Sequence, residues 1–154
     1  MCYLSELERE QGVVAASAGN HAQGVALAAE KLGISALIVM PTTTPPIKVE
    51  AVRSFGAEIV LYGDSYDEAC DHALGIAKEQ GRVFIHPYDD PEVIAGQGTI
   101  AMEIIRQHTD PFDAVFIPVG GGGLIAGMAA YIKTFWPEVK AVSYTHLRAH
   151  ETRG

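Results

Sequence analysis

Short, uninterrupted apolar runs alternate with longer segments of helical spacing along almost the whole chain. Val13-Val14-Ala15-Ala16 has no polar position and reads as a buried strand; Val25 to Leu32 follows with helical spacing and is closed by Gly33. The pair then recurs. Ala36 to Met40 predicts a strand and Thr44 to Phe55 an amphipathic helix, with Pro45 and Pro46 at its start and Gly56 at its end. Glu58 to Tyr62 predicts the next strand, Ser65 to Gln80 a helix capped by Ser65, and Val83 to Ile85 a further strand. Val93 to His108 is helical in spacing, Ala114 to Val119 a strand, Leu124 to Phe135 a helix, and Val139 to Val142 a last strand. Before all of these, Ser5 and Glu8 form a capping-box pattern for a short helix from Leu4 to Gln11. Strict alternation, with strands apolar throughout, predicts an α/β fold whose parallel sheets are covered on both faces.

The rhythm breaks at His86 to Gly98, "HPYDDPEVIAGQG", where prolines, glycines and an acidic pair mark a candidate crossing between two sheets. The division this suggests is a small subdomain over residues 1–88, a partial second one over 89–142, and a tail over 143–154. That tail, "SYTHLRAHETRG", follows neither period and is expected to lie outside the fold as non-native or disordered sequence.

Composition narrows the function. The net charge of −8, with 11 basic residues scattered along 154, supplies no basic stripe for nucleic acid. Ala114 to Ile132 is uncharged and long enough to span a bilayer, but Pro118 and four consecutive glycines would leave backbone groups unpaired in lipid, so it reads as strand, loop and helix. Cys2 and Cys70 suggest no disulfide scaffold, and without a charged-then-apolar leader the expected setting is the cytoplasm. The histidines at 21, 72, 86 and 108 lack metal-ligand spacing, so no metal is expected.

Two strand-to-helix junctions carry candidate chemistry. Gly120-Gly121-Gly122-Gly123 runs from a strand directly into the helix beginning at Leu124; glycine N–H groups at a helix N-terminus form an anion cradle that suits phosphate. A tight turn or close helix packing is the alternative. Neither the Walker spacing nor the dinucleotide spacing is present, so a nucleoside triphosphate is not expected. The second junction is "SAGNHAQG", Ser17 to Gly24. It is uncharged, and Ser17 and Asn20 add donors that suit a carboxylate or a phenolic oxygen. Both are also helix-capping residue types, so local pattern leaves their roles open, and His21, a lone histidine beside a cap, reads more readily as structural than as catalytic.

Together, "ASAGNHAQGVA" and "PVGGGGLIAG" resemble the fold type II (tryptophan synthase β-like) family of pyridoxal-phosphate enzymes. The sequence from about Gly12 to Val142, including "GVVAASAGNHAQGVALAAEKLGISALIVMPTTTPPIKVEAVRSFGAEIVLYG", "SYDEA" and "VIAGQGTIAMEI", is similar within that family to the biosynthetic threonine dehydratases, or threonine ammonia-lyases. The resemblance implies pyridoxal 5'-phosphate as cofactor, with its phosphate on Gly120, Gly121, Gly122, Gly123 and the N–H of Leu124, and its phenolic oxygen on Asn20. Ser17, Ala18, Gly19 and His21 would surround the substrate carboxylate, with Asn20 also contributing. Racemases of the family carry a second serine at the position of Ala18, whose methyl group delivers no proton, so elimination is favoured over racemisation. The implied reaction is β-elimination of L-threonine, or L-serine, to a 2-oxo acid and ammonia on the way to isoleucine, with the cofactor as electron sink and its phosphate protonating the leaving group. The implied partner is a small amino acid, and the parent enzyme is implied to be a homo-oligomer.

The family's Schiff-base lysine lies in an "SFKxRGA" motif that does not occur in these 154 residues. Lys31, Lys48, Lys78, Lys133 and Lys140 all read as surface charge, so no catalytic lysine is assigned. The family's late serine or cysteine for the pyridine nitrogen and its C-terminal regulatory domain are not found either. The expectation is therefore an internal fragment with an incomplete second sheet, exposed apolar surface and no activity alone. The alternatives are a serine dehydratase, a cysteine synthase-like enzyme, or a non-catalytic module that binds a phosphate-bearing ligand.

Overall fold

The structure, a computed structural model, describes residues 1–144. Two compact units divide between Pro87 and Tyr88.

The first unit holds helix α1 (Glu6–Gln11), strand β1 (Val13–Ala16), α2 (Asn20–Leu32), β2 (Ala36–Met40), α3 (Pro46–Arg53), β3 (Glu58–Leu61), α4 (Tyr66–Gln80) and β4 (Val83–Phe84). The strands form one parallel sheet in the order β3-β2-β1-β4, so the chain reverses its direction of sheet growth between β1 and β4. Every side chain of β1 and β2 is buried, as uninterrupted apolar runs require of central parallel strands. Val14, Ala16, Leu37 and Val39 point to one face and meet Ala69, Ala73 and Ile76 of α4. The alternate positions face the other way, where α2 contributes Ala22, Val25, Ala26 and Ala29 to the core. Strands β3 and β4 are only partly buried, so cover on both faces holds for the two central strands and not for the edges.

The second unit holds α5 (Pro91–Gln107), β5 (Ala114–Pro118), α6 (Gly123–Phe135) and β6 (Lys140–Tyr144). β5 and β6 pair in parallel as a two-stranded sheet. Ala101, Ile117, Met128, Ile132 and Val139 form its core. The opposite face of this sheet carries Phe116, 68% exposed, beside Val142.

Element boundaries depart from the sequence reading where local chemistry overrides periodicity. Helix α2 starts at Asn20 and not at Val25, so only Ser17 to Gly19 of "SAGNHAQG" is a loop. Helix α5 starts at Pro91, because Asp90 Oδ1 accepts from the N–H groups of Glu92 (2.8 Å) and Val93 (3.3 Å) and proline suits the first helical position. Much of the segment taken as a break is therefore helix. Helix α3 begins only at Pro46, since Pro45 sits in extended backbone (ψ 137) as a residue before proline should. The capping box of α1 is formed as expected, with Ser5 N–H donating to Glu8 Oε2 at 2.8 Å. Ser143 and Tyr144, assigned to the tail, pair with Ile117 and Pro118 as the end of β6; the remainder of the tail lies outside the described residues.

Helices α5 and α6 cross where Gly98 meets Gly127. A Cβ on Gly127 would meet Gly98 N at 2.7 Å and come closer still to the carbonyl oxygen of Ile94. Both obstacles are backbone and cannot rotate aside. Gly127→Ala is expected to destabilise the protein by about 1–3 kcal/mol, the usual range for overpacking, measured by urea unfolding.

Candidate functional site

In the first unit the site begins at the carboxyl end of β1. Ser17 N–H continues the sheet by donating to Val39 O at 3.1 Å, and the Ser17 hydroxyl accepts from Gly19 N–H at 3.1 Å, folding a three-residue turn. Gly19 is the N-cap of α2, and no side chain caps that helix. Neither Ser17 nor Asn20 plays the capping role their types allow. The first-turn N–H groups of α2 therefore lack both intrahelical acceptors and a cap. Asn20 is exposed, and among the described residues its side chain has no hydrogen-bond partner. Ala18 and Gly19 are half-buried. This turn lies at the reversal of strand order, where open α/β sheets bind ligands beyond the carboxyl ends of their strands.

The His21 ring points back into the unit. Its Nε2 lies 3.0 Å from Ile85 O, at the end of β4. A carbonyl oxygen only accepts, so Nε2 carries the hydrogen of this bond. Burial holds the imidazole pKa below its ordinary value; the Ile85 carbonyl opposes that shift and nearby His86 adds to it. The His21 side chain is thus committed to the scaffold, which leaves the residue's backbone N–H for a ligand. Sequence reasoning missed Ile85 because the group it contributes is a main-chain carbonyl, which leaves no mark on residue type.

In the second unit the four glycines follow β5, and three of them have a steric or conformational reason. Gly122 has φ +94, a left-handed conformation, and is the N-cap of α6 with no side-chain cap. A Cβ on Gly123 would meet Tyr88 O at 2.8 Å, and one on Gly121 would enter the Tyr88 ring. Gly120 has nothing within 4 Å of its Cβ position. The close-packing explanation therefore accounts for positions 121 and 123, and the open backbone is at 120 and the bare first turn of α6. Tyr88 is the second residue that sequence reasoning missed; it lay in the stretch read as a crossing.

Bare N–H groups at a dipolar helix end, with no side chain over Gly120, suit a phosphate's acceptor oxygens, so the residues present fit a phosphorylated cofactor. All five lysines are exposed, and Lys133 Nζ donates to Pro137 O at 2.7 Å. Among the described residues, no group of three or more His, Cys, Asp or Glu side chains could hold a metal ion, and no helix is long and apolar enough to cross a membrane. Cys2 and Cys70 are not paired with each other.

The Pyridoxal-phosphate dependent enzyme family matches residues 1–149. The chain belongs to that family. Among its relatives, a biosynthetic, chloroplastic threonine dehydratase of Arabidopsis thaliana is 62% identical over 132 residues, covering 86% of this chain and 22% of the relative. A biosynthetic L-threonine dehydratase of Burkholderia multivorans is 57% identical over 135 residues, covering 86% and 27%. The processed form of threonine deaminase isoform 2 from Solanum lycopersicum superposes with a TM-score of 0.88 at 56% identity, over 94% of this chain and 39% of that one. The chain thus spans about a quarter of the length of the curated relatives it matches.

The glycine loop yields a graded prediction. Gly120→Ala should leave stability within about 0.5 kcal/mol, like a surface change, whereas Gly123→Ala should cost about 1–3 kcal/mol because its obstacle is backbone. Thermal unfolding of the two variants against the parent chain checks the order.

Proposed function

We propose that this chain supplies cofactor- and substrate-binding parts of a threonine dehydratase, an enzyme that converts L-threonine, or L-serine, to a 2-oxo acid and ammonia in isoleucine biosynthesis. The observation that carries the reading is the uncapped N-terminus of α6 behind an open Gly120, in a chain 62% identical over its matched part to a threonine dehydratase. In the second unit, the N–H groups of Gly120, Gly121, Gly122, Gly123 and Leu124 are assigned to the cofactor phosphate. In the first unit, the Asn20 amide is assigned to the phenolic oxygen of the pyridoxal ring. Ser17, Ala18, Gly19 and Asn20, and the N–H of His21, are assigned to the substrate carboxylate. When bound, pyridoxal phosphate supplies an electron sink for the charge released at the substrate's α-carbon.

The chain's own contribution is to bind and orient. The uncharged donors around Ser17 hold a carboxylate by hydrogen bonds and helix-end dipole, adding no acid or base of their own. Ala18 offers a methyl group where a proton donor would permit racemisation. The glycine cradle would hold the cofactor phosphate by N–H donors and helix-end dipole, which favour its ionised form. No lysine of the chain is assigned to proton abstraction. The whole enzyme is further proposed to be a cytoplasmic homo-oligomer acting on a small amino acid, in keeping with its acidic charge and unpaired cysteines.

Binding and chemistry are tested separately. Pyridoxal 5'-phosphate titrated into the chain should shift the amide resonances of residues 120–124, and Gly120→Ala should weaken that effect; shifts confined to the surface lysines would sink the phosphate assignment. Residues 12–142 substituted into the Arabidopsis thaliana relative should give an enzyme that dehydrates L-threonine. A folded, cofactor-loaded chimera that turns over neither threonine nor serine would instead support a non-catalytic binding module.

A further inference from the structure

The His21 ring joins two strand ends that the chain places far apart. Ile85 N–H donates to Val14 O at 2.9 Å, extending the pairing of β1 with β4 by one bond, and Ile85 O receives His21 Nε2 at 3.0 Å. Ile85 is buried, 7% exposed, so its carbonyl would be costly to leave unpaired. The path from β1 to Ile85, to His21 and back through Gly19 to β1 is closed by hydrogen bonds at the point where strand order reverses.

We propose that the His21 imidazole is a positioning latch, fixing the Ser17–Gly19 turn and the first turn of α2 to the end of β4. For its consequence in catalysis, the proposal rests on the assignment of that turn to the substrate carboxylate; the latch itself is a property of the first unit without any ligand. With Ser17 N–H on Val39 O and Gly19 N–H on Ser17 Oγ, the N–H groups of Ala18, Asn20 and His21 can converge on a carboxylate only if the turn and the helix end keep their relative orientation. The Ser17 hydroxyl braces the turn from within, and His21 braces it from outside. β1 carries no titratable residue, α2 carries only Glu30 and Lys31 at its far end, and β4 is followed by His86. His86 is thus the titratable neighbour, and a positive charge there disfavours a second on His21.

Because the folded-state pKa is depressed, the ring stays neutral in the folded chain after it has begun to protonate in the unfolded one. The stability it contributes is complete above the unfolded value, about 6.5, and is lost as pH falls below that towards the folded value.

Nitrogen-15 spectra of the imidazoles in the 154-residue chain, taken well above pH 6.5, should show a neutral His21 ring with its hydrogen on Nε2. A neutral ring with its hydrogen on Nδ1 alone overturns the proposal without any variant being made. Hydrogen exchange of the Gly19 and Gln23 amides, which donate to Ser17 Oγ and Gly19 O, should quicken about tenfold in His21→Leu, the cost of one lost hydrogen bond. His21→Gln, which can still donate to Ile85 O, should restore protection and remove the parent chain's extra loss of stability below pH 6.5. Equal exchange in both variants, or an unchanged pH profile in His21→Gln, overturns the latch. In the chimera, His21→Leu should raise KM for threonine more than it lowers kcat, with His21→Gln recovering most of the difference. Failure of phosphate binding at residues 120–124 with these results intact would remove the functional assignment and leave the latch standing.

Discussion

Strand β1 is hydrogen-bonded to β2 on one side and β4 on the other, and its four side chains are shut off from water. A strand in that position cannot slide, because a shift of one residue would send its two sets of side chains to the wrong faces. Its carboxyl end is therefore a fixed point. The turn that leaves it, Ser17 to Gly19, inherits that fixity through Ser17 N–H on Val39 O, and α2 takes its starting direction from the turn. The placement of β4 on the other side of β1, rather than beyond β3, puts the reversal of strand order beside this end of β1, the position at which open α/β sheets bind ligands. What a ligand could meet in the first unit thus follows from strand order before any individual side chain is considered.

The glycine loop shows a different constraint, that of crowding. Tyr88 lies against positions 121 and 123, so the loop is pressed from one side and kept bare on the other at Gly120. Two of the four glycines are explained by packing and one by its positive φ, and the fourth alone marks the face left clear. Counting glycines overstates the ligand's share of the motif. The same crowding recurs within the unit at Gly98 and Gly127, where α5 and α6 approach backbone to backbone, so a second pair of glycines serves packing with no ligand in view.

The alternation of apolar runs and helical segments, with the Ser5–Glu8 capping box, was enough to place the strands and helices of the described residues in order, because even the partly exposed strands keep a short apolar run between helical segments. The boundaries failed where a cap or a proline outweighs periodicity: Asp90 and Pro91 start α5 inside a stretch whose glycines and acids resemble a loop, and Gly19 starts α2 before its apolar stripe begins. Cover on both faces does not extend to β5, where Phe116 is exposed, in keeping with the exposed apolar surface expected of this second sheet. At the site, the two junctions were legible from composition and position. The His21 to Ile85 bond was not, since one partner is a carbonyl 64 residues away and no pattern of side chains encodes it.

The way the helices begin separates scaffold from site. Helices α1, α4 and α5 have their N-termini filled by Ser5, Ser65 and Asp90, and α3 begins with a proline pair that removes donors outright. Helices α2 and α6 begin on glycine with no side-chain acceptor. Glycine in place of a capping side chain costs only about a few tenths of a kcal/mol of helix stability, so two such starts are a small cost in a protein whose whole margin is about 5–15 kcal/mol. A ligand that supplies the acceptors stabilises the folded state in proportion to the logarithm of its concentration over Kd. The chain has capping residues at its disposal and uses them at three helices. It leaves bare the two that follow the carboxyl ends of β1 and β5, where an anion's oxygens can do the capping instead.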